Sequence, residues 1–196
     1  MCRSPWRALA YGTVRGVIQT VNRLEKSVET VVNSKLWFLL IKAQRFIMLW
    51  TSIIMLSILG IVVFARYGLN ADVFGYDEIV LVDSFWMYFI GASYAMYEGS
   101  HVKADILARL FSIRVQFLMK VLAGVCQTTV NIVFNIFALS MILRSIETWP
   151  VTSSWGIPFL IPQMSILVGF TLMTFYLSVY TLRDLCSYMN VLKGNR

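Results

Sequence analysis

The chain of 196 residues is poor in the residue types from which catalytic and metal centres are usually built. It has a single histidine, His101, and its three cysteines, Cys2, Cys126 and Cys186, stand far apart with no CxxC pair. Because zinc needs three or four ligands and haem held across a helical bundle usually takes paired histidines, neither centre is predicted. No nucleophile elbow, glycine-rich phosphate loop or HExxH sequence accompanies His101. We therefore predict no enzyme, no catalytic residue, no metal and no cofactor.

Charged residues are also scarce, at 14% of the chain, whereas 58% is hydrophobic and the mean hydropathy is +0.70. This balance is typical of an integral membrane protein and lies outside the range of ordinary soluble domains. The net charge of +7 does not predict a nucleic-acid partner, because the basic residues lie between apolar segments and are not clustered on a nucleic-acid-reading fold.

Four apolar stretches are long enough to cross a bilayer as helices. They cover residues 46–65, 79–97, 121–143 and 164–182, and a helix needs about 20 residues to cross roughly 30 Å of hydrocarbon. Asp83 lies about one turn inside the second stretch, close enough to an interface for water to reach its carboxylate. The sequence thus predicts an all-α integral membrane fold, with a four-helix transmembrane domain over residues 36–185.

The basic residues alternate between the flanks of these stretches. The five flanks carry about 8, 1, 4, 1 and 3 lysines and arginines in chain order, and cytoplasmic flanks are the ones enriched in these residues. The alternation predicts four crossings with both the N- and C-termini in the cytoplasm, the latter as a tail over residues 186–196.

Two amphipathic interfacial helices are predicted beside the spans. In the N-terminal segment 1–35, apolar residues recur at three- and four-residue steps over residues 14–32 and the other angles are polar and basic, so this helix lies on the anionic inner leaflet or docks on a partner. After the second span, Gly99 provides a stop and Ser100 can cap a short helix over residues 101–111.

The third stretch carries a polar stripe, Gln127, Asn131 and Asn135, spaced four residues apart. In a membrane such a stripe indicates either a substrate route or a seam of hydrogen bonds between helices. We favour the seam, because the spans lack the glycine- or proline-broken helices and the inverted repeat of many carriers. A self-contained four-helix carrier or channel remains the alternative.

Three short motifs give the chain its family resemblance. They are FARYGLN at residues 64–70 followed by Asp77 and Glu78, GAS at residues 91–93 followed by EGSHVKADIL at 98–107, and IPFLIP at 157–162. The chain resembles the small membrane subunit, the Q or DctQ-like subunit, of tripartite ATP-independent periplasmic (TRAP) transporters over roughly residues 40–185.

The resemblance implies a non-catalytic subunit of a secondary transporter in the bacterial inner membrane. Its implied partners are the lipid bilayer, a large multi-span membrane subunit that moves the substrate, and a periplasmic substrate-binding protein. Such transporters are sodium symporters that import organic acids, and the small subunit is expected to act as a scaffold for the large one.

Six polar residues are the candidates for contacts with partners or for stabilising a turn. On the outer side, the resemblance implies a role in binding the periplasmic protein or large-subunit loops; loop solvation and helix capping are the other interpretation. On the inner side, the residues either stabilise the elbow between two helices or contact the large subunit. The outer set is Arg66, Asp77 and Glu78, and the inner set is Glu98, His101 and Asp105.

Overall fold

A computed structural model describes Arg23, residues 26–99 and residues 113–193. Four helices in these ranges are long and apolar enough to cross a membrane: α1 (Lys35–Gly68), α2 (Tyr76–Glu98), α3 (Ile113–Thr148) and α4 (Leu160–Lys193). Strand-like pairing in the described residues is limited to one isolated antiparallel bridge between Val151 and Pro158. The predicted all-helical class with four membrane-length helices is confirmed; the cytoplasmic location of the termini stays a prediction.

Each of the four apolar stretches lies inside one of these helices. The third helix begins at Ile113, ahead of the apolar stretch that starts at residue 121. Residues 26–32 of the predicted N-terminal amphipathic helix are helical, whereas the predicted interfacial helix over residues 101–111 lies outside the described residues.

The first helix buries only a narrow stripe. In an 18-residue apolar segment of this helix only 6% is buried, whereas 33% of the corresponding segment of α4 is buried. Its inward positions follow the alternating three- and four-residue spacing of a coiled-coil seam, and large apolar side chains cover its other faces. Such a helix has most of its surface available for lipid or a partner. The stripe consists of Ile41, Gln44, Met48, Thr51, Met55, Ile58, Val62 and Ala65.

Both ends of α2 are set by glycines in the left-handed conformation. Gly99 has φ 67° and its N–H bonds back to the carbonyls of Ala95 and Met96, so the helix ends where the sequence predicted a stop. Gly75 precedes the helix with φ 71°, and a Cβ at this position would collide with the indole of Trp155. Position 75 therefore requires glycine for two reasons, its conformation and its lack of a side chain.

The chain divides into two compact units. The larger unit, Leu39–Lys103 with Gln127–Leu177, contains most of α1, all of α2, and parts of α3 and α4. Within it, α1 and α2 are antiparallel, since Gln44 bonds Ser93 whereas Ser52, further along α1, approaches Met87.

Helices α2 and α4 run parallel in the larger unit. Phe89 meets Phe170, and Tyr97, further along α2, meets Tyr176. Between these pairs the backbones come close, because a Cβ on Gly169 would lie 2.7 Å from Phe89 Cβ and 3.0 Å from the Phe89 carbonyl oxygen. Small residues allow this kind of approach between membrane helices.

The smaller unit comprises Met1–Phe38, Ala104–Cys126 and Ser178–Arg196. In it, Ser34 caps α1, since its hydroxyl accepts the Trp37 N–H at 3.2 Å. α3 approaches α4 at Gly124, where a Cβ would lie 2.6 Å from Thr181 Oγ1.

Candidate functional site

The most elaborate polar site lies where the loop between α3 and α4 returns over the start of α2. The Glu78 carboxylate accepts three hydrogen bonds from this loop: Thr152 Oγ1 at 2.5 Å, the Ser154 N–H at 2.6 Å and the Trp155 N–H at 2.8 Å. Glu78 itself is only 7% exposed. A carboxylate that accepts two backbone N–H groups and a hydroxyl forms charge-assisted hydrogen bonds, the stronger kind. We call Glu78, Thr152, Ser154 and Trp155 the outer anchor.

The loop that Glu78 holds is itself a small ordered structure. The Thr152 N–H donates to the Ile157 carbonyl and the Ile157 N–H donates to Thr152 Oγ1, both at 2.9 Å, while the Phe159 N–H donates to the Pro150 carbonyl at 3.0 Å. Thr152 thus joins the loop's internal bonds to the Glu78 carboxylate. Because the anchor closes a network, loss of Glu78 leaves two loop N–H groups without their acceptor.

A second polar site lies in the interior of the larger unit and contains no charge. Tyr176 OH donates to Gln44 Oε1 at 3.0 Å, Gln44 Nε2 donates to Ser93 Oγ at 2.8 Å, and Ser93 Oγ donates to the Ile90 carbonyl at 2.8 Å. The three side chains are at most 2% exposed. We call these hydrogen-bonded side chains, Gln44, Ser93 and Tyr176, the interior chain. They join α1, α2 and α4, and each has the hydrogen-bond partner that a buried polar group requires.

The polar stripe of α3 divides between two roles. Asn135 Nδ2 donates to Thr171 Oγ1 of α4 at 3.1 Å, so this residue forms the predicted seam between helices. Asn131 instead donates to the Gln127 carbonyl of its own helix at 3.0 Å. In lipid, an amide side chain can hydrogen-bond either to another helix or to a carbonyl of its own helix. Only the bond from Asn135 to Thr171 joins two helices.

The predicted outer residues occupy three different settings. Arg66 lies 3.7 Å from Asp72 in an ion pair whose side chains are 62% and 89% exposed, and such a pair contributes little to stability. Asp77 is exposed in the first turn of α2. Glu78 is turned inward to the loop. The three residues are neighbours in sequence motif but do not form one cluster of contacts.

Of the predicted inner residues, the structure describes Glu98. It is exposed at the end of α2, one helical turn beyond Tyr94. The Arg45 guanidinium lies 6.0 Å from the centre of the Tyr94 ring, within the range of a cation–π contact. His101 and Asp105 lie outside the described residues.

Two buried side-chain oxygens in the described part of the chain lack a hydrogen-bond partner: Asp83 Oδ2 and Gln163 Oε1. Asp83 is only 7% exposed, although its position one turn into the second apolar stretch suggested contact with water. Other side chains cover it in the folded chain.

Sequence reasoning missed Gln44, Ser93, Tyr176 and Thr152. The first three are neutral residues on separate helices, and only the rotation and register of those helices bring them together. Thr152 sits in a loop whose path depends on Glu78, 74 residues earlier. No local signal could have paired these residues; the burial of polar side chains becomes visible only after the helices are assembled.

These polar groups bind one part of the chain to another, in a bundle whose helices are otherwise covered with apolar side chains. The molecule is thus a multi-pass helical membrane protein with an internally bonded polar interior. Residues 55–187 match the family described as "Tripartite ATP-independent periplasmic transporters, DctQ component". The chain belongs to this family, whose members are non-catalytic transporter components, so it is the small membrane component of a TRAP transporter.

The family implies association with the large TRAP membrane subunit and with a binding protein. A comparison with curated proteins finds no match. The resemblance read from the three sequence motifs is confirmed, and the family match covers all of the motif residues.

Proposed function

We propose that this chain is the scaffold subunit of a sodium-driven TRAP transporter that imports organic acids across the bacterial inner membrane. Its four helices form a fixed body against which the large subunit moves the substrate. The chain itself provides no substrate path. Both termini lie in the cytoplasm, and the loop held by Glu78 faces the periplasm.

The interior chain carries the scaffold proposal. Gln44, Ser93 and Tyr176 use their polar atoms on one another and on the backbone, across three helices. A route for a charged solute needs polar groups that can exchange partners with the solute. Groups that are buried and already paired instead hold helices in one arrangement, which is what a static partner requires.

The orientation rests on charge. The flanks that would face the cytoplasm carry 15 of the 17 lysines and arginines, counting the first, third and fifth flanks. The same assignment puts Arg66, Asp77 and the outer anchor in the periplasm. A loop held rigidly there supplies a preformed surface, which reduces the entropy lost when a binding protein docks.

Reconstitution tests whether this chain acts as a scaffold while the large subunit moves the substrate. Proteoliposomes that hold this chain with its large subunit should take up an organic acid when the binding protein and an inward sodium gradient are supplied. Liposomes with this chain alone should show no flux. Solute flux through the purified chain would favour the carrier or channel alternative, and normal uptake without the chain would remove the scaffold role.

A cross-link tests the rigidity directly. Ser52 Oγ and Met87 Sδ lie 4.0 Å apart on α1 and α2, so Ser52→Cys with Met87→Cys can be joined by a short bis-methanethiosulfonate reagent in a background without the native cysteines. A scaffold should retain uptake after the two helices are joined. Loss of uptake in the joined protein, with the single Ser52→Cys variant treated identically and still active, would mean that α1 and α2 move during transport.

A further inference from the structure

Tyr88 is a polar side chain in an apolar place. It is 70% exposed, and none of the described residues hydrogen-bonds its hydroxyl. It stands at the centre of the apolar stretch 79–97, so about 14 Å of helix separates it from either end at 1.5 Å per residue. A tyrosine side chain is too short to reach a headgroup over that distance. The hydrocarbon around it offers no hydrogen-bonding group.

Among the described residues, the other exposed tyrosines and tryptophans lie nearer to an interface. Tyr67 lies next to the last residue of α1, and Trp149 and Trp155 lie in the loop after α3. Trp50 is four residues from the start of its apolar stretch. Headgroup layers favour tyrosine and tryptophan, so these four positions are explained by lipid. The midspan position of Tyr88 is not.

The Tyr88 ring is also held in place by a series of aromatic contacts. Its ring packs edge-on against Phe89 at 5.3 Å between centroids, Phe89 meets Phe170 at 5.6 Å, and Phe170 stacks on Phe134 at 5.3 Å with 16° between the planes. These four rings, the aromatic row, run from α2 across α4 to α3. The close approach of Gly169 to Phe89 fixes the middle of the row.

The two ends of the row face outward, with Tyr88 70% and Phe134 49% exposed. A fixed aromatic surface with one hydroxyl in its outer edge combines the two features of helix recognition in membranes. Shape is provided by the rings, and a hydrogen bond that lipid cannot supply fixes the register.

We propose that the aromatic row is the surface on which a transmembrane helix of the large membrane subunit docks, with a hydrogen-bonding group of that helix paired with the Tyr88 hydroxyl. The proposal rests on the proposed function, because it takes its partner from the family's tripartite assembly. A large multi-span protein can hold a polar group at mid-membrane level through its own packing, which free lipid cannot do.

Photo-cross-linking in the whole transporter tests the location. A benzophenone amino acid replaces Tyr88 in one sample and Ile53 in another; Ile53 is 47% exposed near the centre of the apolar stretch of α1 and lies off its buried stripe. Position 88 should give an adduct with the large subunit and position 53 should give much less. Adducts of position 88 with lipid alone or with a second copy of this chain, or equal adducts from both positions, would overturn the proposal.

Tyr88→Phe tests the hydrogen bond while keeping the ring. The thermal stability of the isolated chain should be unchanged, since the hydroxyl has no bond to lose within the described residues. Association with the large subunit should weaken about threefold to tenfold, the usual effect of one hydrogen bond between membrane helices or in a protein interior. Unchanged association would refute the pairing. If the wild-type chain binds no large subunit at all, the proposed function fails instead.

Discussion

The two polar sites of the larger unit each hydrogen-bond separate segments of the chain to one another, but one contains a charged group and the other does not. At the start of α2, the Glu78 carboxylate accepts hydrogen bonds from the loop residues Thr152, Ser154 and Trp155. In the interior, Gln44, Ser93 and Tyr176 join three helices without any formal charge. Burying an ion in hydrocarbon costs far more than burying a satisfied amide or hydroxyl. Of these two sites, the one with a formal charge lies at the start of α2 beneath a loop, and the one in the interior uses neutral groups alone.

The two sites also differ in what surrounds them. The interior chain lies in a region that is held as well by close packing of α2 on α4 at Gly169. The loop has exposed residues on its outer side, including Ser153, Ser154 and Trp155, and within the described residues its hydrogen bonds to α2 all go to the Glu78 carboxylate. We therefore expect single substitutions to have larger local effects at the outer anchor than in the interior.

The largest effect is expected for Glu78→Ala. The loop loses three hydrogen bonds to one charged group, so amide exchange at Ser154 and Trp155 should accelerate on the order of tenfold to a hundredfold. Hydrogen–deuterium exchange of the purified chain measures this. Asp77→Ala is the matched control, because Asp77 is also an acid in the first turn of α2 but is exposed. Equal protection of the loop in both variants would show that Glu78 does not hold it.

Gly169→Ala should give the next largest change. The added Cβ would lie 2.7 Å from Phe89 Cβ and 3.0 Å from its carbonyl oxygen, so α2 and α4 must separate, at a cost of about 1–3 kcal/mol. Unfolding of the chain in mixed micelles measures the free energy. At Gly60 nothing lies within 4 Å of an added Cβ, so Gly60→Ala should leave the stability near that of the wild type. A Gly169→Ala protein as stable as the Gly60→Ala protein would contradict the close approach.

Ser93→Ala should cost about 1 kcal/mol, because Gln44 Nε2 loses its acceptor inside the bundle. The comparison variant is Ser84→Ala, since the Ser84 hydroxyl donates to the Val80 carbonyl of its own helix at 2.6 Å and joins no second helix. The same unfolding assay reports both. If the two serine variants lose equal stability, the interior chain adds nothing to the ordinary cost of removing a helix hydroxyl.

The smallest effect is expected for Asn135→Leu. It removes one hydrogen bond between helices, to Thr171, and such bonds contribute about 0.6 kcal/mol on average in membrane proteins. Asn131→Leu removes a bond to the Gln127 carbonyl of the same helix and should be neutral. A larger loss for Asn131 than for Asn135 would reverse the assignment of the two amides.

Much of this fold was predictable because membrane helices are specified by local features. The sequence alone identifies the four apolar stretches, the helix stop at Gly99 and the polar stripe on α3. Asn135 of that stripe does form a contact between helices. Of the three stripe residues, Asn135 bonds a second helix, whereas the Asn131 side chain bonds the carbonyl of Gln127 in its own helix. A four-residue spacing places side chains on one face but does not say how far the neighbouring helix extends along it.

The candidate site was less predictable. Glu78 was singled out from its motif as a residue for partner contacts or for helix capping, and its carboxylate also binds a loop 74 residues away, which the motif did not predict. Arg66, Asp77 and Glu98 are exposed, where an interaction with a partner leaves no trace in the chain itself. Motifs identify the residues to inspect, but the direction of each side chain follows from packing.

The sequence by itself determined the number of membrane helices, their approximate lengths and the family, because hydrocarbon thickness and short-range motifs act on contiguous residues. Only the tertiary structure decided that Gln44 meets Ser93 and Tyr176, that Glu78 holds the loop at Thr152, and that Tyr88 faces outward at midspan. Those facts depend on how each helix is rotated and shifted against its neighbours. Rotation and register are properties of the assembled bundle, which no single segment encodes.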